Sequence, residues 1–230
     1  MKYLFLGGLL LSAAAAQAQI SADTRLLSAD AGYSQTSRRQ QLLPDNNTKY
    51  LVGQSTEVPL QLTGGYFVAE NLMVGLQAGY TQRWEKAPTY ATSFTGNTVS
   101  KLHDNETTSH TFSVGPAARY YRFFGPQLAL YGQLGAGYQR QHAERLESNN
   151  SYQPPVQKAE GSGYYAGLAP GLAYFPIPRL ALELNLRGLS YSRLELESKD
   201  TRSKTTYRNF DAGLRLRDLR VGLSLYLGRQ

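Results

Sequence analysis

VPLQLTGGYFVAENLMVGLQAGY, Val58 to Tyr80, decides the fold. Val58, Leu60, Leu62 and Tyr66 stand at alternate positions with Gln61, Thr63 and Gly65 between them, and after Ala69-Glu70-Asn71 the alternation resumes through Leu72, Val74, Leu76, Ala78 and Tyr80. A period of two marks strands with one face in an apolar medium. The same pattern returns in Phe112–Tyr120, in the stretch starting at Leu128, in Tyr164–Phe175 and from Leu180 onward. Connections between these stretches are either short (Ala69–Asn71, Phe123–Gln127, Pro176–Arg179) or long and polar (Arg38–Thr56, Glu85–Thr107, Gln141–Glu160). Tight turns at one end and long loops at the other are how outer-membrane barrels are built.

Counted in this way, the chain is all-β: an eight-stranded antiparallel up-and-down transmembrane β-barrel. Its termini and short turns are expected in the periplasm, and its long loops, with Ser198–Lys204 as the last, are expected outside the cell. The first strand is expected over about Arg25–Ser37, with Leu27, Ala29, Ala31 and Tyr33 outward. The last segment, Tyr207–Leu227, changes phase: Phe210 to Leu216 share one parity and Leu219 to Leu227 the other. One extra residue near Arg217-Asp218, a β-bulge, restores it; a tight turn is the alternative. Tyr66, Tyr80, Tyr120, Tyr138 and Tyr174 near strand ends fit an interfacial aromatic girdle.

Met1-Lys2-Tyr3, the apolar run Leu4–Ala16 and Ala16-Gln17-Ala18 read as a cleaved signal peptide over residues 1–18, which leaves 19–230 as one barrel domain. Without cysteine no disulfide can form. The formal charge of +7 would suit nucleic acid, but an exported chain rarely meets it. Basic residues in the polar connections (Arg38, Arg39, Lys49, Lys86, Lys101, Arg145, Lys158, Lys199, Lys204) either face the phosphate-rich outer leaflet or are simply solvated.

GGYFVAENLMVGL (Gly64–Leu76), FSVGPAARYY (Phe112–Tyr121), AGLAPGLAYF (Ala166–Phe175) and LRGLSYS (Leu186–Ser192) resemble the small, porin-like outer-membrane β-barrel domain family, akin in architecture to the eight-stranded adhesin and virulence barrels. The resemblance implies the outer membrane as location, with its lipids and lipopolysaccharide and the barrel-insertion machinery as partners. It specifies no activity and no extracellular ligand. The C-terminus departs from the family pattern of a final aromatic: Tyr226-Leu227 is followed by Gly228-Arg229-Gln230.

Little in the chain points to chemistry. His103, His110 and His142 share no metal-ligand spacing. Ser109-His110 is the sole serine–histidine neighbourhood near the rim, the alternative being a lipid A-modifying enzyme; adjacent strand residues face opposite ways, which argues against it. No catalytic residue, cofactor or metal is expected. Gln61, Gln77, Arg119, Gln133, Glu183, Asn185, Arg187 and Arg220 alternate with apolar neighbours and are expected inside, where eight strands leave just enough room for side chains. Asp30, Arg119, Glu183, Arg187 and Arg220 are expected to form a lumen charge network, with Arg220 bridging Asp30 and Glu183. The function expected is structural or surface-interactive; a small-solute porin is the rival. A soluble lipocalin-like barrel would need the reverse polarity, apolar inside and polar outside.

Overall fold

The computed structural model describes residues 19–42, 45–93, 98–147, 156–198 and 204–229. The expected signal peptide lies outside them. Eleven strands are present among the described residues: β1 (Arg25–Gly32), β2 (Ser34–Leu42), β3 (Asp45–Ala69), β4 (Leu72–Ser93), β5 (Thr98–Phe123), β6 (Leu128–Glu147), β7 (Val156–Ile177), β8 (Leu180–Asn185), β9 (Leu189–Ser198), β10 (Lys204–Ala212) and β11 (Arg220–Leu227). All pair antiparallel in one sheet. Pairings run β1–β3–β4–β5–β6–β7–β8–β11 and return to β1, so eight strands close a barrel-like ring.

The three strands beyond the expected eight come from interruptions of three long ones. Tyr33 separates β1 from β2 without changing register: Ala31 faces Leu60 and Ser34 faces Glu57. The continuous seventh strand expected from Leu180 to Glu195 is broken at Leu186–Gly188, where these three residues face only Ala169 and Pro170. Leu186 N–H donates to the Pro170 carbonyl at 3.0 Å, but proline has no N–H to return. The extra residue flips the parity from Leu182 and Leu184 outward to Leu189 and Tyr191 outward.

The last segment compensates on a larger scale. Between Ala212, opposite Leu189, and Arg220, opposite Asn185, the seven residues Gly213–Leu219 face the three residues Leu186–Gly188. The expected one-residue bulge is therefore a longer excursion, folded as a single 3-10 turn at Leu216–Asp218. Beyond it, among the described residues, β10 pairs only with β9, and β2 only with β3. Above the ring the wall is consequently unpaired between β2 and β10, where Arg217 Nη1 lies 3.4 Å from the Thr36 hydroxyl.

Most of the expected long loops are strand. β4 and β5 remain paired out to Ser93 and Thr98, and β6 and β7 out to Leu146 and Val156. Their cross-strand partners are charged rather than apolar: Lys86–Glu106 at 2.7 Å and Lys158–Glu144 at 3.3 Å. In β9 and β10, Lys204 holds Glu195 at 3.4 Å. Hydrogen bonding to Lys204 lowers the Glu195 carboxyl below its ordinary range, and Lys158 followed by His142 does the same for Glu144. The opposite end of the ring has short turns, with Asn71 (φ 62°) and Gly125 (φ 87°) in the left-handed region.

Leu27, Leu62, Leu76, Val114, Leu134, Leu182 and Leu223 are exposed on the outer wall. Tyr66, Tyr80, Tyr120, Tyr138 and Tyr174 are also outward, at the margins of this apolar band. Tyr164 and Tyr174 lie ten positions apart on β7, which at about 3.3 Å per residue and a tilt near 40° spans about 25 Å, the height of the apolar band of outer-membrane barrels. The inside is crowded enough to require glycine: a Cβ at Gly75 would lie 2.1 Å from the Gly64 carbonyl oxygen, and one at Gly135 2.1 Å from the Gln77 amide.

Candidate functional site: the lumen

The ring interior is built in three tiers. At the short-turn end Ile20, Phe67, Met73, Tyr121, Phe123, Phe175 and Tyr226 form a buried cluster. Ile20 is held there by paired bonds with Asn71: its N–H donates to Asn71 Oδ1 at 2.9 Å, and the Asn71 N–H donates to its carbonyl at 3.0 Å. Arg229, from the unusual C-terminal tail, places its guanidinium 4.2 Å from the Phe175 ring centroid and 5.1 Å from that of Phe123. A cation over an aromatic face is stabilising, and this one caps the cluster.

The middle tier centres on Arg119 and Glu183, joined at 2.8 Å with both side chains 0% exposed. Arg119 projects inward from β5 between the outward Ala118 and Tyr120, and Glu183 from β8 between Leu182 and Leu184. Arg119 Nε donates to Gln133 Oε1 at 2.8 Å and Nη1 to the Tyr121 hydroxyl at 2.9 Å, and its plane lies 4.4 Å from the Tyr131 ring centroid. Glu183 accepts from Tyr131 at 3.0 Å, Tyr226 at 3.3 Å and Ser28 at 3.4 Å. The Tyr131 hydroxyl also meets Asn185 Oδ1. Every direction around the carboxylate is thus occupied, as a buried charge requires.

From this hub a chain of polar contacts crosses the lumen. Gln133 donates to Gln77 at 2.8 Å, Gln77 to the Tyr165 hydroxyl at 3.0 Å, Gln61 to Gln77 at 3.4 Å and Arg220 to Gln61 at 2.9 Å. Arg220 also lies 3.2 Å from Asp30 Oδ1, an ion pair without hydrogen-bond geometry. Above it a polar vestibule of about 650 Å³ reaches into the arms. There Arg187 and Arg83 share one carboxylate, Glu57, at 2.7 and 2.6 Å.

The five charges expected in one network are therefore divided. Arg220 reaches Asp30, but Glu183 belongs to Arg119, so the expected Arg220 bridge between the two acids is corrected to Asp30 alone. Arg187 pairs instead with Glu57, a residue at the start of the expected second strand whose role no spacing announced. The tyrosines around the hub were also missed. Tyr121, Tyr131 and Tyr226 sit on the inward parity, and that parity was their available signal. Ser109 is buried inside, whereas His110 bonds the Tyr80 hydroxyl at 2.7 Å, so the neighbouring pair is split between faces. Among the described residues, no three His, Asp or Glu side chains converge on a possible metal position.

The sequence matches the outer membrane protein beta-barrel domain family over residues 4–218. No curated protein matches it. Similar solved structures include Neisserial surface protein A (13% identity, 88% of this chain and 96% of that one, TM-score 0.32) and OprG from Pseudomonas aeruginosa (14%, 92% and 98%, 0.39). Another is Ail, the attachment invasion locus protein of Yersinia pestis, solved in complex with a heparin analogue (15%, 90% and 96%, 0.31). The outer membrane protease OmpT from Escherichia coli is similar at 9% identity over 89% of this chain and 91% of that one, with a TM-score of 0.37. With its apolar outer wall, polar lumen and matched family, the chain belongs to the outer membrane protein beta-barrel domain family and resides in the cell outer membrane.

Proposed function

We propose that this chain is a non-enzymatic, eight-stranded transmembrane barrel that stabilises the envelope and presents its arms as an interaction surface. Its termini and short turns face the periplasm and its arms face outward. The observation that carries this reading is the filled lumen. The Arg119–Glu183 hub and the aromatic cluster capped by Arg229 lie in series below the vestibule, leaving a cup in place of a channel. The ion-paired arms support an exposed, water-facing role, because their strands have charges where the ring has leucines.

The test is conductance of refolded protein in planar bilayers, together with protease treatment of intact cells. Silent bilayers and cleavage confined to the arms are expected. Sustained open currents would replace this reading with a small-solute porin, and cleavage at the Glu70-Asn71 or Pro178-Arg179 turns in unbroken cells would invert the orientation.

A further inference from the structure

The break in the wall at Leu186–Gly188 and Gly213–Leu219 does more than shift parity. Outside it lies a groove of about 280 Å³ lined by Gly132, Leu168, Pro170, Leu189, Gly213 and Leu214. All of these are apolar or glycine, and they lie in the band of exposed leucines that faces lipid in the outer membrane. Leu168, Gly188 and Leu189 line both this groove and the polar vestibule inside. An apolar surface open to lipid and a polar chamber therefore share one thin section of wall. Two charged residues adjoin that section: Arg215, next to Leu214 and paired with Asp211 at 2.9 Å, and Arg187, next to Gly188, which is the one that lines the vestibule. Its partner Glu57 is held independently by Arg83 at 2.6 Å, so Arg187 can turn to another anion without leaving Glu57 unpaired.

We propose that this break is a binding site for a single-chain anionic amphiphile, a long-chain carboxylate, with its acyl chain in the groove and its carboxylate on Arg187 in the vestibule. The volume favours one chain over a multi-chain lipid, falling just below the range of small-ligand sites, roughly 300–1,000 Å³. The groove is continuous with the lipid-facing wall, so the chain enters from the bilayer without crossing water. Arg187 supplies a charge-assisted bond of the kind that arginine forms with carboxylates.

The glycines provide the test. A Cβ at Gly132 meets only Leu168 Cδ1, at 3.9 Å, so Gly132→Phe fills the groove without a backbone clash. Gly64 is also outward, on β3, and a Cβ there meets nothing within 4 Å, so Gly64→Phe is the matched control. Refolded protein in short-chain detergent micelles is titrated with dodecanoate or dodecanol and read by native mass spectrometry, with heat-modifiable gel mobility confirming that each variant folds. One saturable dodecanoate adduct is expected on the wild type and on Gly64→Phe, and none on Gly132→Phe. Arg187→Ala should weaken dodecanoate about ten-fold, to the level of dodecanol, and leave dodecanol unchanged. Adducts that accumulate without saturation, equal binding by the two phenylalanine variants, or dodecanoate binding indifferent to Arg187 would each overturn the site.

Discussion

Replacing Arg119 by alanine removes the cation that, among the described residues, alone contacts Glu183, a carboxylate 0% exposed in the native barrel. Tyr131, Tyr226 and Ser28 still donate to it, but hydroxyls carry no countercharge. Removing one member of a buried pair costs about 3–5 kcal/mol, which at 1.4 kcal/mol per tenfold is a factor of roughly 100 to several thousand in the unfolding equilibrium. Glu183→Gln leaves Arg119 with Gln133 and the tyrosine, and belongs in the same range. The double variant Arg119→Met with Glu183→Leu should recover most of the loss, because an apolar pair of similar volume is often neutral or better. Arg220→Ala should cost less than Arg119→Ala, since its side chain is 17% exposed and both it and its partner Asp30 line the vestibule. The assay is urea unfolding of the refolded barrel in detergent, followed by gel mobility. Less than about 1 kcal/mol for Arg119→Ala, or a double variant no more stable than the worse single one, would refute the hub as a coupled buried pair.

Leu182 and Leu223 face each other across β8 and β11 on the outer wall; arginine at either should impair insertion by about 2–4 kcal/mol, read as the folded fraction in liposomes, and normal yields would place them off the lipid face. Arg229→Ala should lower stability by about 1 kcal/mol through loss of its stacking on Phe175, and should raise proteolysis at the short-turn end; an unchanged unfolding midpoint would make the tail dispensable. Because the Glu195 carboxyl is lowered in the folded arm, its contribution is present above the ordinary carboxylate range and is lost as pH falls through the lowered value. Protection of the β9 and β10 amides, relative to their intrinsic exchange rates, should therefore fall below about pH 4 while that of the ring holds; equal protection of the arm at neutral and acid pH would remove Glu195–Lys204 as its tie.

Within the lipid band the sequence is explicit, because leucine and tyrosine must alternate with whatever fills the lumen. Leu182-Glu183-Leu184 and Ala118-Arg119-Tyr120 identify their inner residues unaided. The arms are illegible for the opposite reason. Residues 98–107 are strand outside the lipid band, so nothing in their composition has to alternate, and they read as loop. Which charges pair is likewise hidden. Inwardness follows from parity, but height in the lumen depends on strand stagger, and a shift of a few residues gave Glu183 to Arg119 rather than Arg220. The parity flip at Phe210–Leu219 was visible, but the matching flip at Leu186–Gly188 was not, because LRGLS offers apolar residues on both parities.

Every neighbour in the ring except two follows its partner directly in the chain or after the short arm β9–β10, so almost all pairing can be made hairpin by hairpin. The exception is β1 with β11, where Arg25 meets Leu227, and the link of β1 to β3 skips only the β2 arm. Closure thus depends on two ends of the chain finding each other, at the largest loop entropy the molecule faces. The strand that makes the junction, β11, has eight residues, against 26 in β5. By its high contact order, such a clasp is expected to make circularisation the slow step of assembly. Until it forms, Glu183 lacks Ser28, which β1 carries, although Tyr226 arrives with β11 beside β8, so the hub is completed only when the circle is.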